Sequence, residues 1–258
     1  MADTQVVDPS TMPDWKRKLL AVTQETLAAE RPSGQFFGTK SGVLTFNKIP
    51  VPQNTMEVAI TGYAYENAYY PDAYDAENIV PPTCYAFGIG TDAGMKPHEE
   101  SHIKQSPHCA SCPHAKFGSS TTGTRKGKAC RNLRRLCVIP EHAAASAEGI
   151  KKAPAGFVRL AVYSGMAWGD YVRRLAIEQK SPYTVITRMK LIPDVKAQFK
   201  FQFEFVRDIE GDDVMEAIMA RHDFDISDMC EPYPSFDAEE PAALPNPAPA
   251  GKAAKRKF

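Results

Sequence analysis

The chain lacks net charge, lacks any long apolar run, and between Glu100 and Glu141 lacks acidic residues altogether. No stretch approaches the roughly 18 apolar residues from which a membrane-spanning helix is read. The polar N-terminus also lacks the apolar centre of a secretory signal, so a cytoplasmic location is expected. No internal repeat is found, which sets aside solenoids and propellers. The phosphate-binding order GxxxxGK[ST] is missing: "GTRKGKA" has neither its spacing nor the closing Ser or Thr, so nucleotide hydrolysis is not expected.

What is present is an ordinary globular composition, 43% hydrophobic and 24% charged over 258 residues, enough for one elaborated domain with tails. The neutrality conceals a segregation of charge. Lys104, Lys116, Arg125, Lys126, Lys128, Arg131, Arg134 and Arg135 stand in the acid-free stretch. From Glu204 to Glu240 the balance reverses, with Arg207 and Arg221 set against Asp208, Glu210, Asp212, Asp213, Glu216, Asp223, Asp225, Asp228, Glu231, Asp237, Glu239 and Glu240. A basic middle and an acidic end suggest a polyanion-binding surface and a segment that stays off polyanions or competes for that surface.

Period and punctuation give the coarse structure. "TMPDWKRKLLAVTQETLAAE" predicts a short N-terminal helix with Trp15, Leu19 and Leu20 on a narrow stripe. Strands are predicted at 42–46, 56–70 and 83–88, with "NKIPVPQN" as a turn between the first two. In 197–206 the residues Phe199, Phe201, Phe203 and Phe205 alternate with Lys200, Gln202 and Glu204, and 183–192 alternates likewise, so the two form a hairpin about "PDVKA" with the phenylalanines in the core. "LRRLCVIP" and "GFVRLAVY" read as extended. Helices are predicted over 165–180, with Trp168, Tyr171, Val172 and Leu175 at helical spacing, and over 212–222, with Val214, Met215, Ile218 and Met219 on one face. The expected fold is mainly β within an α+β class: an OB-like Greek-key barrel with an inserted zinc-binding subdomain and flanking helices. Its organisation is a lead-in over 1–35, a nucleic-acid-binding domain over 36–207 with an insertion at about 84–130, an acidic helical segment over 208–236, and a disordered tail over 237–258.

The cysteines form a pattern. Cys109 and Cys112 make a CxxC turn, whose two thiolates can face one tetrahedral metal, and Cys84 and Cys130 stand at the boundaries of the insertion. Together they would pin a loop-rich segment that has little core of its own. His98, His102, His108 and His114 lie in the same insertion, and any of them can replace a terminal cysteine as fourth ligand. Zinc and an iron–sulfur cluster use the same thiolates; the long loops between ligands favour zinc. A closed four-thiolate site has no open position, so the metal is expected to be structural rather than catalytic. Cys137 reads as a core residue and Cys230 as a free thiol.

Arg125, Lys126 and Lys128 lie in a glycine-flanked loop where cations and backbone amides can approach phosphates together, and Arg131, Arg134 and Arg135 carry the charge into the next strand. Tyr63 and Tyr65, on one face of the 56–70 strand opposite Ile60, Gly62 and Ala64, together with Tyr69 and with Phe117 beside Lys116, are candidates on which bases stack.

With the runs "YENAYYPDAYD", "PPTCYAFG", "CASCPHAKFGSS" and "TRKGKACRNLRRL" the chain resembles, over roughly residues 36–230, a family of phage and prophage single-stranded DNA-binding proteins. In plan the chain is similar to the zinc-containing, OB-fold members of large lytic phages. The resemblance implies coating of single strands during phage replication, recombination or repair in a bacterial host cell, self-association on DNA, and recruitment of replication or recombination proteins by an acidic C-terminal region. One departure stands out: this chain closes on the basic "GKAAKRKF", with its acids displaced inward.

The expectation is thus a single-stranded DNA-binding protein, not an enzyme. Its metal ligands are Cys84, Cys109, Cys112 and Cys130, and its nucleic-acid contacts are Tyr63, Tyr65, Tyr69, Lys116, Phe117, Arg125, Lys126, Lys128, Arg131, Arg134 and Arg135. The rivals are a metal-dependent nuclease built on Asp72, Asp75 and Glu77, and an adaptor that docks on a host enzyme.

Overall fold

The computed structural model of the protein describes residues 13–19, 36–73, 80–120 and 127–233. A short helix α1 covers residues 14–19, and its Trp15 and Leu19 are exposed; Leu20 and the rest of the expected helix fall outside the described residues. The strands are β1 (Thr45–Phe46), β2 (Ile49–Pro50), β3 (Thr55–Tyr69), β4 (Cys84–Ile89), β5 (Cys130–Pro140), β6 (Gly156–Leu160), β7 (Val185–Asp194) and β8 (Gln198–Asp208). The further helices are α2 (Ala147–Lys152), α3 (Val162–Ile177) and α4 (Asp212–Met229).

The described residues fall into two compact units. The first comprises 13–19, 36–66, 89–91 and 132–230; the second comprises 67–73, 80–88, 92–120, 127–131 and 231–233.

In the first unit five strands run in the order β6-β5-β3-β7-β8, antiparallel in the registers of β5 with β6, β3 with β7 and β7 with β8. The sixth strand of the sheet, β4, pairs off this path with β3. Class α+β holds, but the sheet is open. Closure into a barrel requires the terminal strands β6 and β8 to pair, and among the described strands they do not.

Alternation on the strands divides the core between two faces. On one, Val58, Ile60, Leu136, Val138, Val158 and Leu160 pack with Trp168, Tyr171 and Leu175 of α3. On the other, Ala59, Ile139 and Ile186 pack with Val214, Ala217 and Ile218 of α4, and Cys137 and Phe157 with its Ile226 and Met229. Each of the Val, Leu, Ile, Phe and Met side chains among them contributes about 1.5–3 kcal/mol by leaving water. Cys137 is a core residue, its thiol pushed up by burial.

The β7–β8 hairpin forms as its alternation predicts, turned by Asp194, whose carboxylate accepts the amide N–H groups of Lys196 and Ala197 at 2.9 Å. Phe201 and Phe203 are buried, whereas Phe205 is 39% exposed. It lies beside a bulge: Thr187 pairs with Phe205 and Ile186 with Arg207, so Val206 is an extra residue, and it is Val206 that packs inward.

Strand β3 also changes faces along its length. Val58, Ile60 and Tyr63 belong to the α3 side, Ala59 and Ala64 to the α4 side. Odd and even positions therefore exchange between Ile60 and Tyr63, and Tyr63 shares its side with Ile60 instead of opposing it. Gly62 sits at the exchange, where a Cβ would lie 3.1 Å from both Cys137 Cβ and Ile226 Cγ1.

Within the acidic region, helix α4 packs its Val214, Ile218, Ile226 and Met229 into the core. Helix α4 runs seven residues beyond the expected end, and its Asp225 is buried against Arg221, Nε to Oδ2 at 2.8 Å. Met219, assigned to the apolar face by its spacing, is exposed.

Candidate metal centre and nucleic-acid interface

In the second unit, Cys84 opens β4 and Cys130 opens β5. The intervening loop is hung beside β4 by Ser101, whose hydroxyl accepts the Tyr85 amide N–H and donates to the Tyr85 carbonyl, both at 3.1 Å. His98 and Ile103 add backbone bonds to Tyr85 and Thr83. The CxxC folds as a tight turn, the Cys112 N–H donating to the Cys109 carbonyl at 3.2 Å and the Cys109 N–H to Met95 at 3.0 Å.

These constraints bring Cys84, Cys109, Cys112 and Cys130 to the wall of one cavity of about 20 Å³, with Asn67, Tyr69 and Tyr85. That volume is of the size that holds a single water. Burial and then the neighbouring cysteines raise the Cys130 thiol to about 12, and burial, with Cys84 and Cys112, raises that of Cys109. A negative thiolate at any one is therefore opposed by the others unless a cation joins them. As placed, no group of three His, Cys, Asp or Glu among the described residues closes on a common point tightly enough to chelate an ion. The four thiols surround the cavity without closing on it.

None of the insertion's histidines lines that cavity. His114 stacks on Tyr69 with ring centroids 4.2 Å apart, and His98 stacks on Tyr85 at 5.0 Å. Tyr69 is thereby a wall of the cysteine cavity and a partner of His114, not an open platform. One pattern escapes the sequence reading: His98-Glu99-Glu100-Ser101-His102 has the residue order HExxH, which binds zinc when a helix sets both histidines on one face. Here the segment is turn and irregular chain, so that geometry is absent.

Lys116 and Phe117 follow the CxxC turn and are exposed, Phe117 at 77%. The basic loop has fixed feet: Gly118 and Ser120 both donate to the Gly127 carbonyl, at 2.9 and 3.1 Å, and the Ala129 N–H donates to Ser119 Oγ at 2.9 Å. Arg125 and Lys126 lie outside the described residues. Lys128 is exposed, and so is Arg131, whose guanidinium lies 5.4 Å from the Tyr70 ring centroid.

The first unit carries a different arrangement. Tyr63 and Tyr65 of β3 line an open hollow of about 320 Å³ with Trp168, Gly169 and Val172 of α3, and with Pro182 and Tyr183 from the turn before β7. Tyr63 and Tyr65 meet edge to face at 5.1 Å, and Arg134 covers the Tyr65 ring at 4.2 Å. Burial, then a hydrogen bond with Tyr65, holds the Tyr63 phenol far above its ordinary range, so it stays a neutral hydroxyl. Trp168 and Tyr183 were legible only as core and strand residues, because nothing in their spacing marks a concavity.

Arg135 does not belong to this surface. It is 3% exposed, its Nε donates to Glu66 Oε2 at 2.9 Å, and it also donates to the Met229 carbonyl. The odd positions of β5 carry Arg131 at the exposed start but Leu133 and Arg135 in the interior, so even spacing from Arg131 does not bring Arg135 to a phosphate. Asp72 is exposed, while Asp75 and Glu77 lie outside the described residues. No family model, no curated protein and no solved structure matches the chain.

Proposed function

We propose that this protein binds single-stranded DNA with little regard to base sequence, coating it without chemistry, and that one structural zinc ion ties down its cysteine-bearing loop. The observation that carries the reading is the pairing of cations with half-buried tyrosines: Arg134 over Tyr65 and, separately, Arg131 over Tyr70. Sequence-neutral single-strand sites combine these two elements, cations for the phosphates and flat rings for the bases. The acid-free charge of residues 101–140 supports the same ligand.

Cys84, Cys109, Cys112 and Cys130 would hold the zinc. The donor chemistry suits zinc, since four thiols line one cavity and would draw inward onto the ion, and a void of about 20 Å³ suits one ion better than a multi-atom iron–sulfur cluster. Bound there, the ion supplies cross-linking and neutralises the thiolates. The open five-strand path is compatible with an OB-like relationship, because an OB fold is itself a partly open five-stranded barrel. Service in phage replication, recombination or repair, self-association on DNA, and recruitment of replication or recombination proteins rest on the motif resemblance alone.

Titration with fluorescent single- and double-stranded oligonucleotides at two salt concentrations tests the reading. Stoichiometric, salt-sensitive binding that favours single strands is expected, with no product formed. Cleavage of the oligonucleotide in the presence of divalent metal would transfer the assignment to the nuclease reading. Retention of a host protein after nuclease treatment, without strand binding, would transfer it to an adaptor.

A further inference from the structure

The hollow on the α3 side of the first unit has features that core packing does not require. Helix α3 carries two glycines one turn apart, Gly165 and Gly169, and so one turn of its surface lacks side chains. Glycine inside a helix costs about 1 kcal/mol relative to alanine. At Gly165 the reason is contact: a Cβ there would lie 3.3 Å from Arg134 Cγ, so the glycine gives room to the arginine's stem. At Gly169 a Cβ would meet nothing within 4 Å. That glycine relieves no crowding; its consequence is an unfilled wall in the hollow that it lines.

The remaining walls are flat. Tyr63 lies tilted by 33° from Trp168 at 5.8 Å, and Tyr65 and Tyr183 complete the lining. Trp168 is 3% exposed and braced edge-on by Phe203 at 5.3 Å, so the floor is rigid. Arg134 lies over Tyr65 and donates to the Leu133 carbonyl at 3.0 Å, and it makes no ion pair with a carboxylate among the described residues, whereas Arg159, Arg173, Arg188, Arg207 and Arg221 each do. An apolar slot of about 320 Å³ lies at the small end of ligand pockets, and a guanidinium beside it with no carboxylate partner adds attraction for an anion.

We infer that this hollow receives one unstacked nucleobase of a bound strand, seated against Tyr63, Trp168 and Tyr183, while Arg134 meets an adjoining phosphate. The inference rests on the single-strand reading and assigns it a specific base site in which Trp168, Gly169 and Tyr183 take part. Gly169 is the residue that keeps the site open.

The chain has only two tryptophans, so a Trp15→Phe background makes Trp168 the sole indole reporter. In that protein, oligo(dT) is expected to quench the Trp168 emission saturably, and an abasic deoxyribose-phosphate oligomer of equal length is not. Gly169→Leu, a better helix former directed into open space, is expected to keep or raise the Tm, abolish the quench and weaken oligo(dT) binding about 10–100-fold with an unchanged salt slope. Gly169→Ala should raise the Tm and weaken binding less.

Salt-sensitive oligo(dT) binding with unaltered Trp168 emission, and with full affinity in folded Gly169→Leu, would overturn the base site and leave the single-strand reading standing. Failure to bind any oligonucleotide, together with quenching by millimolar thymidine monophosphate that Gly169→Leu removes, would keep the base site and sink the coating function. Absence of both responses overturns both. A Trp168 emission change caused by truncation after Phe236 without nucleic acid would make the chain's own tail the occupant and likewise overturn the proposal.

Discussion

Arg135 and Glu66 form an ion pair inside the first unit, Nε to Oε2 at 2.9 Å, with the side chains 3% and 0% exposed. Arg159 completes the arrangement from β6, its Nη2 lying 2.8 Å from Glu66 Oε1. An arginine that sequence places in a basic run is thus the internal counter-ion of a buried carboxylate. Without Arg135, Glu66 keeps Arg159 as its counter-ion, but one of its buried hydrogen bonds and the donor to the Met229 carbonyl are lost, at a cost of about 1–3 kcal/mol. Arg135→Ala is therefore expected to lower the Tm by about 2–4 °C for each kcal/mol lost. Arg131→Ala, at an exposed site, should leave the Tm in place and flatten the salt dependence of strand binding. Arg135→Ala with wild-type Tm and a flattened salt slope would return that residue to the binding surface.

The four-thiol cavity leads to a second expectation. Purified protein should carry one zinc ion per chain and be colourless, and Cys112→Ser should release the ion. Metal chelation should expose residues 92–131 to protease while the first unit, with its own core, keeps its resistance. Visible absorbance with stoichiometric iron would make the centre an iron–sulfur cluster. Metal-free protein with the same protease pattern as the wild type would remove the metal from the account.

Much of this architecture was legible because the governing signals were local. The period-two phenylalanines fixed β8 and its hairpin, and the 3.6 period fixed α3. What escaped depended on partners distant in sequence. The end of α4 was hidden because Asp223, Asp225 and Asp228 sit unfavourably at the negative pole of a helix; burial of Ile226 and Met229, together with the Arg221–Asp225 pair, outweighs that penalty. Tyr63 was assigned a face by uniform alternation, which the exchange after Ile60 breaks. The grouping of the cysteines about one cavity was partly visible because CxxC spacing is itself a local geometry. The hollow needed a helix and a strand more than a hundred residues apart in the chain to be seen together.

Truncation distinguishes the packed acids from the tail. A chain ending at Val206 loses Val214, Ile218, Ile226 and Met229 from the core and is expected not to fold. A chain ending after Phe236 keeps them all and loses Asp237, Glu239 and Glu240 with the basic terminus. If those acids compete with DNA, this form should bind single strands more tightly at low salt, with the gain shrinking as salt screens both contacts. A folded Val206-terminated protein would show that α4 is dispensable after all. Equal affinity of the Phe236-terminated and full-length chains at low salt would exclude competition by the tail.

Cations and rings should fail in different ways. Each phosphate contact on a single strand contributes a slope of about −0.7 to log affinity against log salt. Replacing Arg125, Lys126 and Lys128 together by alanine should therefore flatten the slope by up to about 2 if all three touch phosphates. Tyr65→Ala should instead cost about 1–3 kcal/mol with a nearly constant slope, since Arg134 remains. Tyr63→Ala combines two losses, because Tyr63 also packs against the core around Trp168, so its effect must appear in the Tm as well as in affinity. Thermal unfolding accompanies each titration for that reason. A folded triple-alanine variant with an unaltered slope would take the glycine-flanked loop out of the binding site, and a folded Tyr65→Ala protein with full affinity would reduce the Arg134–Tyr65 stack to a structural contact.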